Sequence, residues 1–255
     1  MSTALWNGQG QGFSFRIDEK KVNTVLVTNK HVIEGNEVVT FFLTKKNHQG
    51  EPILGSKEEI TLRGKESYWI KHPDSNVDLA VLPLDPLLQE IEKRKLSVFY
   101  CTLCQGLIPN ENILNSISAI EDIIMVGYPN GIWDEKNNMP IVRRGITATS
   151  PKYDYRGNPI FLIDCAVFPG SSGSPVMIYN QGAYKDQRGN INMSNDRLIF
   201  LGVVYRLLIH EAYGEIENPH MSPKELSKFI SEIPNNLGVV IKSQKIMDFL
   251  PLLQS

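Results

Sequence analysis

Short β-branched and aromatic runs, separated by turns rich in Gly, Asn and Lys, recur along this chain and leave little room for helix. In the first third they are Phe13 to Ile17, Thr24 to Thr28, Glu37 to Leu43, Ile60 to Leu62, Ser67 to Ile70 and Leu79 to Leu84. A second group begins near Ile123 and continues through Ile141 to Ala148, Ile160 to Val167, Pro175 to Tyr179, Ile199 to Leu207 and Leu237 to Ile241. Residues 96–118 read as the connection. Many short strands in two groups predict an all-β chain, built either as two small antiparallel barrels or as a sandwich. Helix is expected in three places. Asp85 at the cap and Pro86 at the first helical position open a short one through LLQEIEKRK. Ser222, Pro223 and Glu225 resemble a capping box inside an insert spanning residues 208–236. Ser243 opens a C-terminal amphipathic helix with Ile246, Phe249 and Leu250 on one face.

The composition narrows the classes of function. Of 255 residues, 42% are hydrophobic and 21% charged, which suits a globular chain able to bury a core. Lys and Arg total 26 against 28 Asp and Glu, a net charge of −2, so no nucleic-acid partner is expected. The most apolar stretch, Leu198 to Ile209, is short and carries Arg206, so no membrane span is expected. The N-terminus lacks the basic-then-apolar order of a secretory signal. Three Cys are too few for a disulfide framework, and a reducing cytoplasm is the expected location. Cys101 and Cys104 form a C-x-x-C, but a zinc site needs further ligands, and Cys165 and His210 are distant in sequence. Neither a metal nor a cofactor is expected.

Three segments carry chemistry. VTNKHVIEG places His31 just after a predicted strand, NVDLAVLPL places Asp78 at the entry to an apolar one, and FPGSSGSPV places Ser172 in a Gly-rich turn. A serine hydroxyl is a weak nucleophile until a base such as imidazole takes its proton. A buried carboxylate holds that imidazole in the right tautomer and stabilises the imidazolium that forms. Gly170 lets the backbone turn so that the N–H groups of Gly170 and Ser172 face one cavity, where a developing oxyanion gains roughly 3–4 kcal/mol per donor. Alone, each segment has an ordinary reading: a structural histidine, a strand-capping aspartate, a Ser/Gly loop. Their order and setting together favour chemistry.

The sequence resembles the trypsin/chymotrypsin-like serine peptidases, especially the disulfide-free bacterial type. TNKHV, DLAVL and GSSGSPV are similar to the histidine, aspartate and serine segments of HtrA-type proteases and glutamyl endopeptidases. GQGQGF, VGYPNG, RRGI, LGVVY and LGVVI extend the likeness over roughly residues 10–250. The resemblance implies a chymotrypsin-like fold of two antiparallel six-stranded β-barrels, residues 1–105 and 106–255, with the helical insert and C-terminal helix attached to the second. It implies a serine endopeptidase with His31, Asp78 and Ser172 as triad, Gly170 and Ser172 as oxyanion hole, and a protein or peptide as substrate.

Departures from the family pattern carry information as well. Ser171 stands where cleavage-activated zymogens place an aspartate, so activation of that kind is not implied. Val204 and Val167 stand where glutamyl endopeptidases place the histidine and threonine that read glutamate. With Tyr205 they are the expected substrate-binding residues, and two valines favour a small or medium apolar side chain before the cut bond. No PDZ domain of the HtrA kind is expected. The insert is expected to act as a lid or to dock a regulatory protein partner. A catalytically silent binding module on the same fold is the alternative reading. An α/β-hydrolase esterase would need the chain order Ser, Asp, His, and the order here is the reverse of that requirement for His and Ser.

Overall fold

The computed structural model describes residues 4–5, 10–18, 23–35, 38–63, 68–186, 189–193, 196–216 and 227–254. The first half contains β1 (Ala4–Leu5), β2 (Gln11–Asp18), β3 (Asn23–Thr28), β4 (Val38–Lys46), β5 (Pro52–Arg63), β6 (Ile70–Lys71), β7 (Ala80–Pro83), β8 (Val98–Phe99) and β9 (Leu103–Cys104). One sheet runs in the order β1-β2-β3-β7-β6, with β9 alongside β2, and a second runs β5-β4-β8. Phe13, Phe15 and Ile17 alternate inward along β2, as a half-buried strand requires. This half is a half-barrel, and with the closed barrel of the second half it makes the expected chymotrypsin-like, all-β architecture. After β3 the chain turns directly into helix α1 (Lys30–Ile33), whose buried Val32 and Ile33 pack with Leu26, Val39, Trp69 and Leu82.

Helix α2 (Asp85–Lys93) follows β7 as its sequence predicts, but Asp85 lies in its first turn and Leu84 at the cap. The connection holds a 3₁₀ turn (Gln105–Leu107) and helix α3 (Glu111–Ser116). Asn110 caps α3 by accepting from the Ile113 N–H at 3.0 Å.

The second half contains β10 (Asp122–Gly127), β11 (Ile141–Thr147), β12 (Ile160–Asp164), β13 (Pro175–Asn180), β14 (Ala183–Lys185), β15 (Ile191–Met193), β16 (Arg197–Ile216) and β17 (Ser227–Lys242). Six of these close a barrel in the order β10-β11-β12-β17-β16-β13, as expected. Its core includes Ile123, Met125, Phe161, Ile163, Val176, Ile178 and Leu201. The two halves also share a core, because Phe13 and Phe15 lie 5.4 and 5.9 Å from Phe200 between ring centroids.

The insert at 208–236 departs from its predicted helical form. Its described residues extend β16 and β17 into a two-stranded ribbon that reaches Ile216↔Ser227. The Ser222, Pro223 and Glu225 box lies outside the described residues. Over residues 227–236, pairing with a strand already anchored in the barrel prevails over the expected helix. The C-terminal helix forms, mostly as a 3₁₀ segment (Ser243–Phe249) followed by α4 (Leu250–Leu253). Ser243, Ile246 and Phe249 are buried at intervals of three, the period of a 3₁₀ turn. His72 straps this element to the first half. Its ring meets Phe249 edge-on at 5.2 Å, and Nε2 lies 3.2 Å from Asp248 Oδ2. No described helix is long and apolar enough to cross a membrane.

Candidate active site

Strand register brings the first two predicted residues together. β3 pairs with β7 through Thr28↔Ala80, so the residues just after Thr28 lie beside those just before Ala80. Asn29, fully buried, donates its Nδ2–H to the Asp78 carbonyl at 2.7 Å and fixes the approach. Asp78 then receives His31 twice. Its Oδ1 accepts from the His31 backbone N–H at 3.2 Å, and its Oδ2 lies 2.6 Å from His31 Nδ1. Burial by itself raises the Asp78 pKa. The His31 side-chain hydrogen bond, the His31 charge and the backbone N–H groups of His31 and Lys30 outweigh it and leave the carboxyl below its ordinary range. An ionised carboxylate on Nδ1 assigns the ring proton to that nitrogen and leaves Nε2 as acceptor.

The serine turn comes from the other half. Ser172 Oγ lies 3.0 Å from His31 Nε2 and 3.3 Å from the Tyr205 carbonyl oxygen, so one hydroxyl proton has two acceptors in reach. Gly170 has φ +82°, a conformation that L side chains rarely adopt, and here it exposes successive N–H groups. Among the described residues the Gly170 and Ser172 N–H groups have no acceptor in the chain, whereas Ser171 N–H donates to Phe168 O and Gly173 N–H to Val204 O. Gly173 has a steric reason to be glycine, because a Cβ there would sit 1.8 Å from the Gln11 carbonyl oxygen.

Three contributors escaped the sequence reading. Gln11, fully buried on β2, ties the halves: its N–H donates to Ser172 O at 2.9 Å, its Oε1 accepts from Tyr128 N–H at 2.6 Å, and its Nε2–H donates to Ser174 Oγ. Arg143 on β11 braces the serine segment from behind, donating from Nη1 to Ala166 O at 2.7 Å and to Ser171 Oγ at 3.0 Å. Burial lowers the Arg143 pKa, partly opposed by Cys165, and its Nε and Nη2 are buried with no partner among the described residues. Asn29 is the third. Gln11 and Arg143 stand in segments that already look familiar, but nothing in a linear string announces their partners, 23 and 28 residues away for Arg143 and more than a hundred for Gln11.

The expected substrate-binding residues divide. Val167 and Val204 are 1% and 0% exposed and pack in the barrel core. Tyr205 is half-buried and lines, with Asp78, Asn76, Arg156 and Ile160, a cavity of about 350 Å³ beside the three polar groups. A second, largely apolar cavity of about 400 Å³ lies elsewhere, between Thr44, Phe99, Val126, Val142 and Tyr179. Among the described residues, no three His, Cys, Asp or Glu side chains cluster as metal ligands, and Cys101, Cys104 and Cys165 are free.

No curated protein shows significant similarity to this chain. A family profile does: the trypsin-like peptidase domain matches residues 10–183, a span that contains His31, Asp78, Gly170 and Ser172. With a closed barrel, a half-barrel and a C-terminal helix arranged about that span, the chain belongs to the trypsin-like peptidase domain family, the trypsin/chymotrypsin-like serine peptidases.

Proposed function

We propose that the chain is a serine endopeptidase that cuts a narrow or regulated set of proteins through an acyl-enzyme. The observation that carries this reading is the unbroken relay Asp78 Oδ2, His31 Nδ1, His31 Nε2, Ser172 Oγ, with steps of 2.6 and 3.0 Å across the ring. His31 Nε2 takes the hydroxyl proton as Ser172 Oγ attacks the peptide carbonyl. The oxyanion forms against the N–H groups of Gly170 and Ser172, each giving roughly 3–4 kcal/mol. Asp78 stays ionised and holds the imidazolium. His31 then protonates the leaving amine, and water repeats the cycle on the ester.

Val167 and Val204 pack in the barrel core and do not line the cavity that Tyr205 lines; on the family resemblance they back the pocket for the residue before the cut bond, which favours a small or medium apolar side chain. A peptide-library digest checks that preference, and a choice of Glu or Arg there overturns it. The reaction itself is tested with a fluorophosphonate probe. The intact chain is labelled on Ser172, while Ser172→Ala and His31→Ala are not. A folded chain that resists the probe leaves a silent binding module as the better account.

A further inference from the structure

The ribbon that replaces the expected helix leaves the barrel at a register slip. Leu207 pairs with Gly238, but the next pair is Ile209↔Pro234, so residues 235–237 bulge and re-aim the strands. Beyond it the ladder continues to Ile216↔Ser227, about 25 Å of ribbon at ~3.4 Å per residue. Alternation assigns one face. Ile209 faces with Pro234, Glu211 with Glu232, Tyr213 with Ile230 and, further out, Glu215 with Lys228. Its apolar members are open to solvent: Ile209 is 44% exposed, Ile230 62% and Tyr213 74%.

An exposed ribbon of two strands is marginal in water, and like charges directly opposite weaken it further. Among the described residues, no Lys, Arg or His pairs with Glu211 or Glu232, and the Tyr213 hydroxyl donates to Glu211 Oε2 at 2.7 Å. The face therefore presents two facing carboxylates framed by apolar side chains. A second copy laid on this face in the same register would set the same carboxylates against each other, so in-register self-pairing is opposed by its own charge. A segment with a cation between apolar residues complements it on both counts. The ribbon is also joined to the reaction centre along the chain. Ile209 lies four residues along the same strand from Tyr205, whose carbonyl meets Ser172 Oγ.

We propose that this face of the ribbon is a docking surface for the protein substrate, and that it takes an extended segment carrying a lysine or arginine between apolar side chains. The identity of the occupant as substrate rests on the peptidase reading above. Docking there selects chains that carry the segment and leaves peptides without it to the cleft alone.

The test uses the full chain with Ser172→Ala and two fluorescent ten-residue peptides, one alternating isoleucine and lysine, the other isoleucine and glutamate. Anisotropy measures binding at low and high salt. The lysine peptide binds, weakens with salt, and loses about tenfold or more in affinity on the double change Glu211→Lys, Glu232→Lys. The glutamate peptide binds about tenfold or more worse than the lysine peptide. In the chain that keeps Ser172, the same double change leaves fluorophosphonate labelling untouched, which shows that the fold is intact. Equal binding of the two peptides, or no response to charge reversal, overturns the docking surface. Labelling that fails while charge-selective binding holds overturns the occupant as substrate, and the peptidase reading with it. Binding that fails while labelling holds removes the docking surface alone.

Discussion

Gln11→Met asks how far the serine turn depends on one buried amide. Methionine keeps the length and removes both polar side-chain atoms. The backbone links survive: Gln11 N–H to Ser172 O at 2.9 Å, and Thr28 Oγ1 to Gln11 O at 2.7 Å. The Tyr128 N–H loses the acceptor it holds at 2.6 Å, and Ser174 Oγ loses its donor, both in buried surroundings. Orphaning a buried polar group costs about 1–3 kcal/mol, and the serine hydroxyl can rotate to recover part of that. The sum is about 2–4 kcal/mol of stability, read by urea unfolding followed through tryptophan fluorescence. Labelling by the fluorophosphonate falls by less than about tenfold, because the backbone anchor on Ser172 remains. Ser174→Ala completes a double-mutant cycle whose coupling is about 1 kcal/mol. Full additivity of the two changes, or a stability loss under about 0.5 kcal/mol, refutes Gln11 as the tie between halves.

Asp78→Asn lowers kcat by about 10⁴, since an amide no longer enforces the productive tautomer. Asp78 has a folded pKa below its unfolded one, so its stabilisation is complete above about pH 4 and is lost as pH falls through the folded value. Acid unfolding of wild type and Asp78→Asn therefore converges at low pH. Arg143→Met releases Ala166 O and Ser171 Oγ and reduces kcat by about tenfold with KM little changed, while stability holds or rises because an incompletely paired buried cation is gone; partial recovery with added guanidinium distinguishes positioning from simple packing. In native thiol titration Cys101, which is exposed, reacts ahead of Cys165, which is buried and whose pKa burial raises, and Cys165 reacts fully only on unfolding.

Much of the site was legible because its chemistry is local in sequence. His31, Asp78 and Ser172 each sit at a strand boundary, and alternation along β3, β7 and β13 finds those boundaries. Gly170 was legible for the same reason, since a tight turn needs φ above zero. The ribbon was not. FISEIP offers Ile230 and Ile233 at a spacing of three, which suits a helix face, and the barrel strand leading into it prevails over that period. Gln11 shows the general limit. Its side chain acts 117 and 163 residues away, and no periodicity encodes such a distance.

Imidazole and carboxylate ride on one half of the molecule, and the hydroxyl rides on the other. The seam between them is held by Gln11, by the packing of Phe13 and Phe15 on Phe200, and by His72 on Phe249. A slide of about 1 Å along it would open the Nε2 to Oγ gap beyond useful range while both sheets kept their ladders. On the peptidase reading proposed above, whatever clamps those contacts also sets the distance from the hydroxyl to its base.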